Sequence, residues 1–315
     1  MILIYLKETF YRDFMTSLIS LLDTHNCYLV GHRGARGEQL ENSKAGFVYT
    51  QQLSQLSTNT WQKNKLAGIE FDVQLTFDGK LVVFHDDTML RLFGHQARVD
   101  QLTADQIRCV SRCASTDQSE SILLLQQMPE YLKDYSHIEL EVKTCDRTNY
   151  QQLIQSLKQC LVDPQLYNLP FTLTSFDIHL LQRLQADTVL SQFKRGLLVE
   201  PACPQLTLKL MSNPAFNDSE HLPATKDRIT TNDIKNAVMS TKQPFANTVQ
   251  IALRLGCSSI GLFYPLFDSN FMAQCRRYGL ATTAWTVNDI DSAKQLTKLG
   301  VNYLITDYPA TFLYA

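Results

Sequence analysis

Three short stretches of the chain bring together the residue types that hold charge and move protons. His32 and Arg33 follow an apolar run, and Glu70 and Asp72 lie two apart in GIEFDV (68–73). Glu139, Glu141 and Lys143 repeat that spacing in HIELEVK (137–143). Residues i and i+2 of an extended strand share a face, so Glu70 points with Asp72, and Glu139, Glu141 and Lys143 point together. Carboxylates crowded on one rim repel each other and need protons, cationic side chains or a bound cation between them. An all-oxygen ligand set suits a hard divalent ion, Mg2+ or Ca2+, rather than zinc. Pairing of the same acids with Arg33 and Lys143 in an ion-pair network is the competing arrangement.

A second histidine, His85, closes LVVFH (81–85). The FDGK segment before it (77–80) is too short for a crossover helix, so this run returns as an antiparallel hairpin arm after strand two. A two-residue turn centred on Asp78 and Gly79 would set His85 opposite Asp72.

The elements that must carry these groups recur along the chain. Eight β-rich runs alternate with helix-length segments: CYLVGH (27–32), AGIEFDV (67–73), HIELEVK (137–143), FTLTSF (171–176), KRGLLVE (194–200), SSIGLFY (258–264), ATTAWTV (281–287) and NYLITD (302–307). Eight βα units in one chain predict an α/β fold, a (β/α)8 TIM barrel, with chemistry at the carboxyl ends of its strands. Residues 1–25 carry apolar positions at helical spacing and predict an amphipathic helix, packed on the barrel or lying on a membrane surface. Residues 201–245 are polar and broken by Pro and Asn, which predicts an insertion over one face of the barrel. The whole chain, 1–315, reads as one barrel domain.

Composition narrows the function classes. Of 315 residues, 44% are hydrophobic and 19% charged, and the net charge is −2, which excludes a disordered chain and the basic footprint of a general nucleic-acid binder. No uncharged apolar run reaches the roughly 18 residues of a membrane span. Eight cysteines without CxxC pairs predict reduced thiols and a cytoplasmic setting.

In order along the chain, GHRGARGEQLENS (31–43), GIEFDVQLTFDGKLVVFHDDTMLR (68–91), LEVK (140–143), TSF (174–176), WTVND (285–289) and ITDYP (305–309) resemble the motifs of the glycerophosphodiester phosphodiesterase family. One such motif is weak; six in register are specific. The resemblance implies a metal-dependent hydrolase that cleaves a small-molecule glycerophosphodiester to glycerol 3-phosphate and an alcohol. It implies His32 and His85 as the general acid/base pair, and Glu70, Asp72 and Glu141 as ligands of Mg2+ or Ca2+. Arg33 and Lys143 correspond to the cations that hold the phosphate, Trp285 to the wall of the alcohol subsite, and Glu41 to a support of the metal region. Asp86 and Arg91 match the segment that holds the His85 loop.

Leu40 stands where the family has Pro before this Glu, which alters loop stiffness more than chemistry. Glu139 stays outside the implied ligand set and suits a buried ion pair. Asp307 and Asn288 close later strands and read as structural, or as supports behind the catalytic groups, rather than as catalytic residues. The long 201–245 insertion leaves room for a lysophospholipase D-type activity with peripheral membrane contact. A non-catalytic barrel scaffold is the alternative from another class, disfavoured because both histidines and all three acids are present.

Overall fold

The computed structural model describes residues 25–59, 66–114, 121–200 and 246–314. The helix expected at 1–25 and the insertion at 201–245 lie outside the described residues, apart from residue 25. The eight expected strands are all present, each with its ends within two residues of the sequence reading. They are β1 (Tyr28–Gly31), β2 (Leu66–Leu75), β4 (His137–Val142), β5 (Phe171–Ser175), β6 (Lys194–Val199), β7 (Ser259–Phe263), β8 (Ala281–Trp285) and β9 (Tyr303–Thr306), while the hairpin arm is β3 (Leu81–Val83). The barrel strands pair in parallel in chain order, and β1 pairs with both β9 and β2, which closes the cylinder.

Strand β2 shows why these runs become barrel staves. Nine of its ten residues are buried, as expected of a parallel strand covered on both faces. Ile69, Phe71 and Val73 belong to the apolar core between staves and helices, where Phe71 meets Phe47 of helix Lys44–Asn59 edge-on at 5.8 Å. Glu70 and Asp72 face the other way, into the barrel mouth. Deeper in the barrel the filling is also polar: Glu139 accepts hydrogen bonds from Thr283 Oγ1 at 2.6 Å and from the His137 ring at 2.9 Å, and Tyr303 stacks on His137 at 3.9 Å. The buried partner expected of Glu139 is therefore His137.

Helix starts follow the strand ends closely. Asp177, Asp268 and Asp289 cap helices Ile178–Ala186, Ser269–Arg277 and Ile290–Leu299, each accepting from a backbone N–H of the first turn. Gly300, at φ 86°, ends the last of these in the left-handed conformation.

Arm β3 is antiparallel to β2, but its register differs from the expectation by one residue. The turn is a three-residue loop, Phe77-Asp78-Gly79, closed by the Thr76 N–H to Lys80 O bond at 2.9 Å, with Gly79 at φ +75°. Asp78 anchors it, accepting from Thr76 Oγ1 and from the Ala104 N–H. Val73 thus faces Val83, and Phe84, not His85, meets Asp72 through the Phe84 N–H to Asp72 O bond at 3.1 Å. Beyond the arm, Val82, Phe84, Met89, Val99, Ala104, Ile107, Ile122 and Leu124 form a separate small core beside the barrel. Among the described residues no helix is long and apolar enough to cross a membrane, and Cys109, Cys145, Cys160, Cys257 and Cys275 form no disulfide.

Phe47 is fully buried between Phe71 and Tyr131. Phe47→Ala should cost about 3–5 kcal/mol of unfolding free energy, read from urea denaturation, because the helix cannot collapse onto the rigid stave behind it.

Candidate active site

Strand β2 delivers Glu70 and Asp72, and its neighbour β4 sets Glu141 directly beside Asp72 in register. One oxygen from each of Glu70, Asp72 and Glu141 lies within 4.8 Å of the others. Oxygens bound to one cation at about 2.0–2.6 Å are never more than about 5 Å apart, so the three carboxylates match a single-ion cradle. The Asp72 Oδ1 atom is buried without a hydrogen-bond partner, a lone pair left for a positive charge. Electrostatics agree. Burial, then repulsion from Asp72 and Glu141, lifts the Glu70 carboxyl well above its usual range. Burial and Asp72 push Glu141 up to about 7 against the pull of Lys143. Burial would raise Asp72 too, but Lys143, Arg33 and His85 together hold it below the ordinary carboxylate range.

Two cations already sit among these acids. Lys143 Nζ donates to Glu141 Oε1 at 2.7 Å and lies 3.6 Å from Asp72 Oδ1. Arg33 Nε lies 3.3 Å from Asp72 Oδ2, and Arg33 Nη1 donates to Glu41 Oε1 at 2.9 Å. The backbone bends sharply to allow this: Arg33 and Asn42 have φ of 49° and 52°. The Arg33 N–H then reaches Glu70 Oε2 at 2.9 Å, and Asn42 Nδ2 reaches Asp72 Oδ2 at 2.9 Å. Asn42 escaped the sequence reading, because a left-handed residue three-dimensionally close to an acid thirty positions away leaves no local signal.

Each histidine is held the same way. His32 Nδ1 lies 2.6 Å from Asp307 Oδ1, and His85 Nδ1 lies 2.7 Å from Asp86 Oδ1. A carboxylate only accepts, so in both rings Nδ1 carries the hydrogen and Nε2 is the nitrogen left open. The His32 Nε2 atom is 3.8 Å from Glu70 Oε2. Burial keeps both rings more neutral than a free histidine, outweighing Asp307 at His32 and Asp72 at His85. Asp307 thus stands behind His32, within the supporting role that the sequence reading left open. The WTVN and TDYP segments cooperate here, since Asn288 donates to Asp307 Oδ2 at 2.8 Å.

Glu41 does not reach toward the acidic trio. It binds Arg33 and accepts both terminal nitrogens of Arg91 at 2.7 and 2.6 Å, while Arg91 also grips Asp86 at 2.6 and 3.0 Å. One chain of contacts, Arg33–Glu41–Arg91–Asp86–His85, therefore joins the loops that carry the two histidines. Trp285 ends β8 half-buried, packed against Phe176 at 5.5 Å and Phe263 at 5.7 Å, with its buried Nε1 unpartnered. The structure thus brings His32, Arg33, Glu70, Asp72, Glu141 and Lys143 into one cluster, with His85 electrostatically facing Asp72 and Glu41 behind.

The model of the glycerophosphoryl diester phosphodiesterase family matches residues 32–311. The chain belongs to that family. It is accordingly a phosphoric diester hydrolase. A glycerophosphodiester phosphodiesterase of Caldanaerobacter subterraneus subsp. tengcongensis is 23% identical over 295 residues, covering 90% of this chain and 96% of the relative. A phosphodiesterase of Oleispira antarctica, solved in complex with the product sn-glycerol-3-phosphate, shares the fold at TM-score 0.63 and 20% identity, covering 90% of this chain and 94% of that one. A glycerophosphodiester phosphodiesterase of Thermotoga maritima does so at TM-score 0.59 and 20% identity, over 91% of this chain and 97% of that one.

Asp86 supplies a measurable pH signature. Burial would raise it, but hydrogen bonds from Arg91 and His85 draw it from 3.8 to about 2. The folded state therefore resists protonation there, so the group stabilises the fold above about pH 4 and that contribution is lost as pH falls toward 2. In Asp86→Asn the melting temperature should fall below that of the parent at pH 7, with the gap narrowing between pH 4 and 2; a constant gap would refute the coupling.

Proposed function

We propose that this chain hydrolyses glycerophosphodiesters to glycerol 3-phosphate and an alcohol, with Mg2+ or Ca2+ held by Glu70, Asp72 and Glu141 and with His32 and His85 as the acid/base pair. The observation that supports this reading is the pair of His–Asp contacts, which leave both Nε2 atoms open, that of His32 3.8 Å from Glu70 and His85 within electrostatic reach of Asp72. The cation, when bound, supplies positive charge to the phosphate oxygens as charge grows on them. Every other role falls to side chains already in place.

Arg33 and Lys143 add positive charge where the diester's oxygens would lie, in a site where burial strengthens each interaction. One imidazole takes the proton of the attacking hydroxyl at Nε2. The other gives its Nε2 proton to the departing alkoxide, which leaves poorly as an anion. Both rings are held toward the neutral form by burial, which suits the base; the negative charge of a bound diester favours the protonated form that the acid needs. Trp285, with Phe176 and Phe263, forms an aromatic wall for the alcohol part. Glu41 serves by fixing Arg33 and Arg91 rather than by touching the ion.

Purified protein should release glycerol 3-phosphate from glycerophosphocholine with Mg2+ or Ca2+ and lose that activity in EDTA. His32→Ala and His85→Ala should each reduce kcat about 10²- to 10⁴-fold with the fold intact. Full turnover in either variant would sink the two-histidine assignment.

Cation binding should also release protons. Glu70 and Glu141 hold protons more tightly than ordinary carboxylates and must surrender them to become ligands. Calorimetric titration with Ca2+ at pH 6 in buffers of different ionisation enthalpy should show proton release that Glu141→Gln diminishes. Heats independent of the buffer would contradict it.

A further inference from the structure

Strand β2 places a third inward residue, Gln74, one step beyond Asp72, and its side chain is nine-tenths buried. Its Nε2 donates two hydrogen bonds, to Phe84 O at 3.0 Å and to Asp86 O at 2.8 Å. These are the carbonyls immediately before and after His85. A carbonyl only accepts, so the amide orientation is settled and both hydrogens of the NH2 group are spent on this one segment.

The segment needs such a holder. The β2–β3 ladder is last paired at Val73 and Val83, followed by the single Phe84 N–H to Asp72 O bond. From there the chain leaves the sheet for the side lobe, and its carbonyls would otherwise lack partners in a partly buried place. Asp86 and Arg91 restrain the His85 ring and its flank, but no other side chain among the described residues binds the backbone on both sides of His85. The His32 loop has no such dependence: its backbone is anchored directly on stave β9 by the His32 N–H to Thr306 O bond at 2.9 Å.

We infer that Gln74 is a positioning residue for His85, clamping the backbone on both sides of it so that its imidazole stays over the acidic cluster. Where proton transfer is at stake, a displacement near 1 Å costs about 10²-fold. Gln74 touches neither substrate nor reacting atoms in this scheme. The assignment rests on the proposed role of His85, and its test separates the two.

The near-isosteric Gln74→Met keeps the packing and removes both donors; Gln74→Glu keeps the shape and turns them into acceptors that repel the carbonyls. In glycerophosphocholine hydrolysis both should lower kcat about 10- to 100-fold with KM within about threefold. Ca2+ affinity should change less than about twofold, because Asp72 is untouched. In the His85→Ala background, Gln74→Met should cost nothing further, since a clamp has nothing left to position. A second readout does not depend on turnover: the downfield Nδ1–H proton resonance of His85, assigned by its absence in His85→Ala, should broaden or vanish in Gln74→Met while that of His32 remains. Unchanged kcat with an unchanged His85 resonance overturns the inference, as does an equal further loss in the His85→Ala background. Full activity of His85→Ala would instead overturn the catalytic role of His85, and the resonance would still decide whether Gln74 holds it.

Discussion

Three carboxylates confined to one end of a closed barrel impose the constraint that organises everything around them. Glu70, Asp72 and Glu141 are too close to be fully charged together without positive charge between them. The fold answers with Arg33 and Lys143, and each of these in turn requires its own geometry. Arg33 reaches the cluster only because its backbone adopts the left-handed conformation, and that turn is held by Asn42, itself left-handed and bound to Asp72. Lys143 reaches it from one residue past the end of β4, two beyond Glu141, with its N–H paired to Val73 O. The polar filling beneath, with Glu139 accepting from His137 and Thr283, keeps a fourth buried acid from adding to the crowd.

The two histidines arrive by different routes. His32 belongs to the barrel itself, hydrogen-bonded through its backbone to β9 and through its ring to the end of the same strand. His85 comes from a hairpin arm whose far side belongs to another, smaller core. Arg91 spans the gap, since it binds Glu41 on one loop and Asp86 on the other. Relative placement of the two histidines therefore depends on one guanidinium and two carboxylates, with Arg91 and Asp86 partly open to solvent and Glu41 buried between the arginines.

Much of this was readable from the chain because burial on both faces writes long apolar runs, and period-two spacing writes inward acids. All eight staves and the pairing of Glu70 with Asp72 follow from those two regularities. What was not readable depends on distance in sequence or on single residues in turns. Asp307 meets His32 across 275 positions, and nothing near either residue announces the other. The lobe core from Val82 to Leu124 draws on scattered positions without a dominant period. Glu41 carries the acid expected of its motif but spends it on arginines.

The β2–β3 loop shows how far a peripheral detail reaches inward. Phe77 at its tip is 69% exposed, the kind of place where chains ordinarily accept an added or lost residue without consequence. Here the loop length decides which side chains of the returning arm face the sheet's two sides. With three residues, Phe84 seals the lobe core and His85 is free to turn to the mouth. The two-residue turn centred on Asp78 and Gly79 would slip the register by one, set His85 opposite Asp72 and turn Phe84 away from the small core it now fills. Length at this exposed tip is therefore under the same restraint as the identity of a buried acid, and indel tolerance in this molecule cannot be judged from exposure.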